Sequence, residues 1–320
     1  MPVEKILLAA PRGYCAGVDR AVQTVEKALK LHGAPVYVRK EIVHNKHVVE
    51  ELRARGAIFV EELDDSIPEG AITVFSAHGV SPMVHDEAKR RKLQTIDATC
   101  PLVTKVHREA VKFASDGYTI VLIGHAGHEE VEGTMGEAPE AMVLVETEED
   151  VAKLEIENTD KLAYLSQTTL SVDETQAIIV ALHEKFPTIT GPRTDDICYA
   201  TTNRQMAVRQ MSPHCDLVLV IGSKNSSNSN RLVEVARDCG AASYLIDNES
   251  EVRGEWLEGV SVVGISSGAS APEELVQRLV NYLADDEVHT SVEEFEVVQE
   301  DVRFMLPKTI RQAEIAATSV

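Results

Sequence analysis

Apolar and polar positions alternate along the chain in blocks that predict strands and helices in turn. Runs rich in β-branched residues, such as "YTIVLIG", "DLVLVIG" and "VSVVGIS", are each followed by a polar loop and an amphipathic stretch. Val18, Val22, Val25 and Leu29 recur at helical spacing after the first apolar run. Because strands that alternate with helices form βαβ units, the pattern predicts an α/β fold with mainly parallel sheets.

Three cysteines mark a plan that occurs three times along the chain. Cys15, Cys100 and Cys198 each stand at a turn before a predicted helix, and a strand follows that helix. A basic residue comes five or six positions after each cysteine, namely Arg20, Lys105 and Arg204. Self-similarity of this kind indicates a repeated unit of the fold.

Two polar loops follow each cysteine at similar distances. The first loops carry His44, His128 and Ser226, which lie 29, 28 and 28 residues after their cysteines. The second loops carry His78, Thr168 with Thr169, and Ser270. Ligands of open α/β sheets bind beyond the carboxyl ends of the strands. We therefore expect the cysteines and loops to face one cavity about a pseudo-threefold axis.

This plan predicts three similar α/β domains with mainly parallel sheets, arranged as a trefoil around a central cavity. The predicted boundaries are 1–99, 100–196 and 197–287 for the three domains. Residues 288–320 are expected to form an extended C-terminal tail, to which no chemistry is assigned.

Composition narrows the class of protein. The 320 residues carry a net charge of −21, from 52 acidic and 31 basic side chains, and only 4% are aromatic. Both values argue against nucleic acid as a partner, because phosphate backbones need a positive field and bases need stacking platforms. No apolar stretch is long enough for a membrane span, and no leader pattern precedes the first strand. We expect a cytoplasmic protein without a membrane partner.

The five cysteines divide into two groups. An odd number without a CxxC pair favours neither a disulfide framework nor a zinc finger. Cys215 and Cys239 are expected to be small buried side chains. The matched register of Cys15, Cys100 and Cys198 instead predicts a metal centre with three thiolates and one open position. Thiolates suit iron–sulfur clusters and zinc alike, so residue type leaves both open.

Two loops carry further candidate chemistry. The stretch "GHAGHEEVEG" places His125, His128, Glu129, Glu130 and Glu132 at a strand end, where they could act as an acid–base site. The stretch "GSKNSSNSNR", which includes Ser223 and Asn225–Asn230, offers hydroxyls, amides and backbone N–H groups at a helix N-terminus. Such a set is suited to binding an anion.

Seven motifs together resemble one enzyme family. They are "PRGYCAGVDRAV", "DATCPLVTKVH", "GHAGHEEVEGTMGE", "SQTTLSVDET", "DDICYATTNRQ", "GSKNSSNSNRL" and "GASAPE". In this order they resemble the 4-hydroxy-3-methylbut-2-enyl diphosphate reductases, which catalyse the last step of the non-mevalonate isoprenoid pathway. The resemblance covers roughly residues 5 to 285. It implies a trefoil fold, an oxygen-sensitive 4Fe-4S cluster, an allylic diphosphate substrate and a reduced ferredoxin or flavodoxin-type electron donor.

The resemblance also implies roles for individual residues. Cys15, Cys100 and Cys198 would bind the cluster. Glu130 would supply a proton, and Thr168 would position the substrate hydroxyl and water. The diphosphate would be held by His44, His78, His128, Ser226, Ser227, Asn228 and Ser270, with Thr169 and Thr201 as weaker candidates.

Two other functions remain open at this point. A quinolinate-synthase-like dehydratase also has a threefold architecture with three cysteines on a 4Fe-4S cluster, and its substrate is also anionic. A non-enzymatic redox or metal sensor is a different class, although the polar loops would then have no role. Detection of isoprenoid product against quinolinate separates the enzymes, whereas binding without turnover would favour the sensor.

Overall fold

A computed structural model describes residues 3–284 and 290–318 of the chain, and these residues form twelve strands and eleven α-helices. The strands are β1 (Lys5–Ala10), β2 (Val36–Arg39), β3 (Ala57–Val60), β4 (Ile72–Phe75), β5 (Gln94–Asp97), β6 (Thr119–Ile123), β7 (Met142–Val145), β8 (Leu162–Ser166), β9 (Leu217–Ile221), β10 (Ala242–Ile246), β11 (Val262–Ser267) and β12 (Ser291–Glu296). The helices are α1 (Ala16–His32), α2 (Lys46–Ala54), α3 (Pro82–Arg90), α4 (Pro101–Ser115), α5 (Glu129–Met135), α6 (Glu148–Lys153), α7 (Val172–Lys185), α8 (Tyr199–Met211), α9 (Ser227–Asp238), α10 (Glu273–Leu283) and α11 (Lys308–Thr318).

The strands form three sheets, and every pairing between named strands of the described residues is parallel. Their orders are β10-β9-β11-β1-β12, β3-β2-β4-β5 and β7-β6-β8. In each sheet the strand that leads to a first polar loop (β2, β6 or β9) lies beside the strand that leads to a second one (β4, β8 or β11). The predicted α/β class with three similar parallel sheets is confirmed.

The described residues form two compact units. Unit 1 lies within Met1–Asp19, His44–Glu51 and Tyr199–Arg303, and it contains the five-stranded sheet. One face of this sheet packs Ile6, Leu219 and Ile265 against Leu275 and Leu279 of α10. The other face packs its alternate residues against α8 and α9. Burial on both faces explains why β1 and β9 are continuous apolar runs in the sequence.

Unit 2 contains the four-stranded and three-stranded sheets, within Arg20–Val43, Leu52–Cys198 and Phe304–Val320. In the three-stranded sheet, Val121 and Ile123 pack with Ile178 and Leu182 of α7. Their neighbours along β6 face the opposite side and pack against α4. This alternation is the period-two pattern of a strand covered by a helix on each face.

The N-terminal strand does not pair within its predicted domain. Strand β1 lies in the predicted first domain (residues 1–99), but it pairs with β11 of the predicted third domain and with β12 of the tail. Its side chains Ile6, Leu7 and Leu8 are all buried, so it needs covered faces on both sides. Each cysteine therefore follows the sheet of the preceding repeat, as Cys100 follows β5, rather than opening a sheet of its own.

The tail contains more regular structure than the extended segment that the sequence predicts. Strand β12 forms an edge of the five-stranded sheet, and α11 follows with Ile310 fully buried. The predicted boundary between residues 287 and 288 lies outside the described residues. Among the helices of residues 3–284 and 290–318, not one has the length and apolar character to cross a membrane.

Candidate active site

Each candidate metal-binding cysteine lies immediately before a helix and is hydrogen-bonded to a loop at the end of a strand. The backbone N–H groups of Cys15, Cys100 and Cys198 donate to the carbonyls of Ala269 at 3.3 Å, Ala77 at 2.9 Å and Thr168 at 3.0 Å. Thr168 is itself a predicted residue of a second polar loop. Ala77 and Ala269 immediately precede His78 and Ser270, the predicted residues of the other two second loops. All three thiols are half-buried and free of disulfides. A helix N-terminus favours negative charge, and the thiolate is the form of cysteine that binds metals.

The other two cysteines lie in different surroundings. Cys215 packs against the core of unit 1, and its Sγ donates to the carbonyl of Met211 at 3.5 Å. Burial, with a smaller contribution from the charge of Asp216, raises the pKa of the Cys215 thiol to about 12. Cys239 follows the end of α9, where its Sγ lies 3.7 Å from the carbonyl of Arg209. Neither begins a helix.

Glu130 is a buried carboxylate in the first turn of α5 in unit 2. Its Oε1 accepts the backbone N–H of Thr168 at 2.5 Å, and its Oε2 accepts the Thr168 hydroxyl at 3.1 Å. The carbonyl of the same Thr168 accepts the N–H of Cys198. One residue thus connects the candidate acid to a candidate metal ligand.

Two histidines of unit 2 contact the N-terminus of α5, which carries Glu130. His128 caps α5, and its Nδ1 accepts the N–H of Glu130 at 3.1 Å, so a neutral His128 ring carries its proton on Nε2. His78 Nδ1 lies 3.1 Å from the Glu129 carboxylate, to which it can only donate. The two rings meet edge to face with centroids 6.0 Å apart. The structure therefore brings three predicted site residues, His78, His128 and Glu130, close together.

The serine- and asparagine-rich loop of unit 1 forms the N-terminus of α9. Ser226 caps the helix by accepting the N–H of Ser229 at 3.3 Å, and Ser227 is the first helical residue. Asn228 is buried in the same turn, and its Oδ1 accepts the N–H of Ala269 at 2.9 Å. Its Nδ2 lies 3.5 Å from the hydroxyl of Thr201. Hydroxyls, an amide and the helix N-terminus are thus close together, as expected for an anion site.

Two more predicted residues lie beside this loop in unit 1. The hydroxyl of Ser270 donates to the carbonyl of His44 at 2.9 Å. The ring Nδ1 of His44 lies 3.4 Å from the side-chain amide of Asn225. The structure therefore brings His44 and Ser270 together with the loop that carries Asn228. Thr169 lies in unit 2, where its hydroxyl accepts from Gln167 at 2.9 Å.

Glu130 and Asn228 occupy equivalent places in their repeats, a relation that the sequence analysis missed. Asn228 accepts the N–H of Ala269, whose carbonyl accepts from Cys15, just as Glu130 accepts the N–H of Thr168, whose carbonyl accepts from Cys198. The signal was present in the register, because each lies 30 residues after a cysteine of the plan, Cys100 or Cys198. The carboxylate can hold a proton, whereas the amide can only form hydrogen bonds.

Asp196, which is not among the residues predicted from the sequence, supports the loop before Cys198. Its Oδ2 accepts the N–H of Ser166 at 2.9 Å, and its Oδ1 lies 2.8 Å from Lys105 Nζ. Burial raises the pKa of Asp196 to about 6, although the bonds from Lys105 and Ser166 oppose the shift. No motif marked this residue, because its role depends on contacts between distant parts of the chain.

Comparison with known proteins decides the family. The model of the family described as "LytB protein" matches residues 6–284. The chain belongs to the LytB family. A curated relative from Streptomyces coelicolor, named 4-hydroxy-3-methylbut-2-enyl diphosphate reductase, is 58% identical and covers 97% of this chain and 92% of its own length. The resemblance predicted from the motifs is therefore confirmed, and the quinolinate-synthase-like alternative receives no support.

Solved structures of the family agree with the fold. The E-1-hydroxy-2-methyl-but-2-enyl-4-diphosphate reductase from Plasmodium falciparum matches with a TM-score of 0.95 and 40% identity, over 100% of both chains. A second structure is described as (E)-4-hydroxy-3-methyl-but-2-enyl diphosphate reductase, the terminal enzyme of the non-mevalonate pathway. It matches with a TM-score of 0.64 and 31% identity, over 88% of this chain and 99% of that one. The LytB fold thus extends over essentially the whole chain.

Proposed function

We propose that this LytB-family chain is a 4-hydroxy-3-methylbut-2-enyl diphosphate reductase. It converts (E)-4-hydroxy-3-methylbut-2-enyl diphosphate to isopentenyl and dimethylallyl diphosphate. Two electrons and two protons enter, the carbon–oxygen bond of the allylic alcohol breaks, and its hydroxyl leaves as water. The observation that carries the proposal is the family match over residues 6–284, which includes all the motifs described above.

The thiols fit a 4Fe-4S cluster, which the family resemblance implies. Cys15, Cys100 and Cys198 form no disulfide, are half-buried and lie next to helix N-termini, and soft thiolates suit iron–sulfur clusters. These three residues would hold the cluster and leave one iron without a protein ligand. When bound, the cluster would pass the two electrons from the donor to the substrate and offer an open iron for the substrate hydroxyl.

The protein side chains would bind and orient the diphosphate. Donors in two sets are suited to this: His44, Ser226, Ser227, Asn228 and Ser270 in unit 1, and His78 and His128 in unit 2. Local hydrogen-bond donors can hold a diphosphate in a protein of net charge −21, because they act at short range whereas the repulsion from distant surface charges is screened by salt. Hydrogen bonds to a charged group contribute about 1.5–3 kcal/mol each.

Glu130 would deliver the proton that accompanies loss of the hydroxyl. The carboxylate is buried and accepts two hydrogen bonds from Thr168, which orient both of its oxygens. The Thr168 hydroxyl can also accept a hydrogen bond, so it would position the departing hydroxyl or water next to Glu130. A reduced ferredoxin or flavodoxin-type protein would be the electron donor, and the cytoplasm the compartment.

Anaerobic turnover tests the proposal. The full chain is purified without oxygen, its iron and sulfide are measured, and it is given the allylic diphosphate with a chemically reduced viologen dye. We expect both five-carbon diphosphates, detected by mass spectrometry, from protein that contains iron and sulfide. Zinc in place of iron, or iron–sulfur protein that binds the substrate without forming product, would overturn the assignment.

A further inference from the structure

Each helix that follows a candidate cysteine carries a basic side chain bonded to backbone carbonyls far along the chain. Arg20 lies on α1, after Cys15, and its Nη1 donates to the carbonyls of Ala98 at 2.8 Å and Thr99 at 3.0 Å. These two residues immediately precede Cys100. The guanidinium thus fixes the loop before Cys100, not the loop before Cys15, whose helix carries Arg20.

Lys105 repeats this arrangement one step further along the chain. It lies on α4, after Cys100, and its Nζ donates to the carbonyls of Thr194 at 2.6 Å and Asp195 at 3.1 Å. It also contacts the Asp196 carboxylate at 2.8 Å. These acceptors lie two to four residues before Cys198.

Arg204 makes the third contact of this kind. It lies on α8, after Cys198, is fully buried, and donates through Nε at 3.1 Å and Nη2 at 2.7 Å to the carbonyl of Gly13. Gly13 lies two residues before Cys15 and has φ of +68°, a conformation that favours glycine. The three basic residues therefore connect the cysteine loops in a cyclic order: Cys15 to Cys100, Cys100 to Cys198, and Cys198 to Cys15.

We propose that Arg20, Lys105 and Arg204 are positioning residues for the iron–sulfur cluster. Each one fixes the loop of the next cysteine ligand, and Arg20 also places a positive charge near the Cys100 sulfur. This inference rests on the proposed function, since it assumes that the three cysteines share one cluster.

Two physical arguments support this role. A side chain that donates to consecutive carbonyls holds the backbone before a ligand, and such outer contacts orient metal ligands. The positive charge of Arg20 also matters. Burial lowers the pKa of Arg20, and the charges of the Asp97 carboxylate and then of the Cys100 sulfur oppose this lowering only in part, so the guanidinium lies close enough to act on Cys100. Charges and hydrogen bonds around an iron–sulfur cluster set its reduction potential. Loss of a cation should therefore make the potential more negative.

Hydrogen exchange of the full chain, purified without oxygen, tests directly whether each basic residue holds the loop of the next cysteine. The amides of Cys15, Cys100 and Cys198 are all hydrogen-bonded, so their exchange reports loosening of their loops. Arg20→Met should speed exchange at Cys100, and Lys105→Met should speed it at Cys198, by about tenfold each, while the other two cysteine amides stay unchanged.

Further variants serve as controls for this pattern. Arg204 is fully buried, so Arg204→Lys is used there, because it keeps the charge but loses the two-pronged contact; it should speed exchange at Cys15. Lys112→Met removes an exposed cation from α4 and should change none of the three amides. Faster exchange at all three cysteines alike, at the cysteine of the variant's own helix, or at none would overturn the proposed positioning role.

A second measurement separates positioning from a purely structural contact. In cluster-loaded Arg20→Met the reduction potential should shift to a more negative value, and Arg20→Lys should restore it, since Lys105 shows that a lysine can serve at this position. An unchanged potential in Arg20→Met would refute the electrostatic part. If the wild-type protein contained no iron–sulfur cluster, the proposed function would fail. Faster exchange confined to the next cysteine in each variant would then still support the role of the basic residues in holding the loops.

Discussion

Glu130 and Asn228 show how one position in a repeated plan can carry two different chemistries. Each side chain accepts the N–H of a residue whose own carbonyl accepts from a cysteine. Each is buried in the first turn of a helix that follows a polar loop. Because the backbone contacts are equivalent, the difference in chemistry comes from the side chains. The carboxyl group of Glu130 can carry a proton, as proposed for its role, whereas the amide of Asn228 can only form hydrogen bonds, as proposed for the anion.

Glu130→Gln should separate proton delivery from structure. The glutamine oxygen can still accept the N–H of Thr168, and its amide can donate to the Thr168 hydroxyl, so the loop before Cys198 should remain in place. Positioned acid–base groups contribute about 10²–10⁴-fold in rate. We expect turnover to fall on that scale with iron content and substrate affinity unchanged, as measured by anaerobic kinetics and calorimetry. Near-normal turnover would transfer the role to Thr168 and a bound water.

Asn228→Asp should test the anion site in a similar way. Aspartate retains the oxygen that accepts from Ala269, but it replaces the Nδ2 donor with a negative charge. Loss of one donor should weaken binding of the allylic diphosphate by roughly tenfold to a hundredfold, and repulsion should add to this. Inorganic diphosphate should lose affinity in parallel.

A matched control is available in the same unit. Asn248→Asp makes the same chemical change at a helix cap where the side-chain oxygen accepts from Ser250. It should leave both affinities unchanged. Equal affinities in Asn228→Asp and the wild-type protein would mean that the loop is structural and that the diphosphate binds elsewhere.

At the scale of elements, the strands that are continuous apolar runs could be predicted from the sequence alone. The strands before His128, Ser226 and Ser270 are buried apolar runs, and the structure has them as β6, β9 and β11. The placement of β1 beside β11 and β12 could not be predicted, because pairing between parallel strands joins residues far apart in sequence. The same holds for Arg20, Lys105 and Arg204: their spacing was visible, but the distant carbonyls that they bind were not.

The pairing of β12 with β1 can be tested by proline substitution, because one edge of β12 faces β1 and the other faces outward. The N–H groups of Ser291 and Val297 donate to β1, so the register turns the N–H of Glu293 toward β1 and that of Val292 outward. Glu293→Pro should leave the carbonyl of Ile6 without its partner and cost about 1–3 kcal/mol in the free energy of unfolding.

Val292→Pro is the matched control, since proline on the outer edge of a sheet removes no ladder bond. Glu293→Ala controls for the exposed ion pair with Lys5, which should contribute less than about 1 kcal/mol. Urea unfolding measures all three variants. Equal losses in the two proline variants would show that β12 is not paired to β1 in the register described.

At the scale of the whole molecule, the three proposed metal ligands are each associated with a different sheet. Cys15 follows β1 of the five-stranded sheet, Cys100 follows β5 of the four-stranded sheet, and Cys198 is bonded to the loop after β8 of the three-stranded sheet. A chain with net charge −21 can still bind an anionic substrate in this plan, because the candidate binding groups are hydroxyls, amides, imidazoles and helix N-termini. The distribution implies that loss of any one ligand affects the whole centre.

Serine substitution at each of the five cysteines tests this. A poorly ionised hydroxyl is a weak substitute for a soft thiolate, so Cys15→Ser, Cys100→Ser and Cys198→Ser should each lose most iron and acid-labile sulfide, and not a third of it. Cys215→Ser and Cys239→Ser should retain the wild-type content, because these thiols contact helix carbonyls and neither cysteine precedes a helix as the three of the plan do. Iron and sulfide per chain, measured without oxygen alongside the visible absorption spectrum, give the answer. If Cys215→Ser lost as much iron as Cys100→Ser at equal thermal stability, the assignment of ligands by their register would be wrong; if the first three variants each lost only part of the iron, the single shared cluster would have to be abandoned.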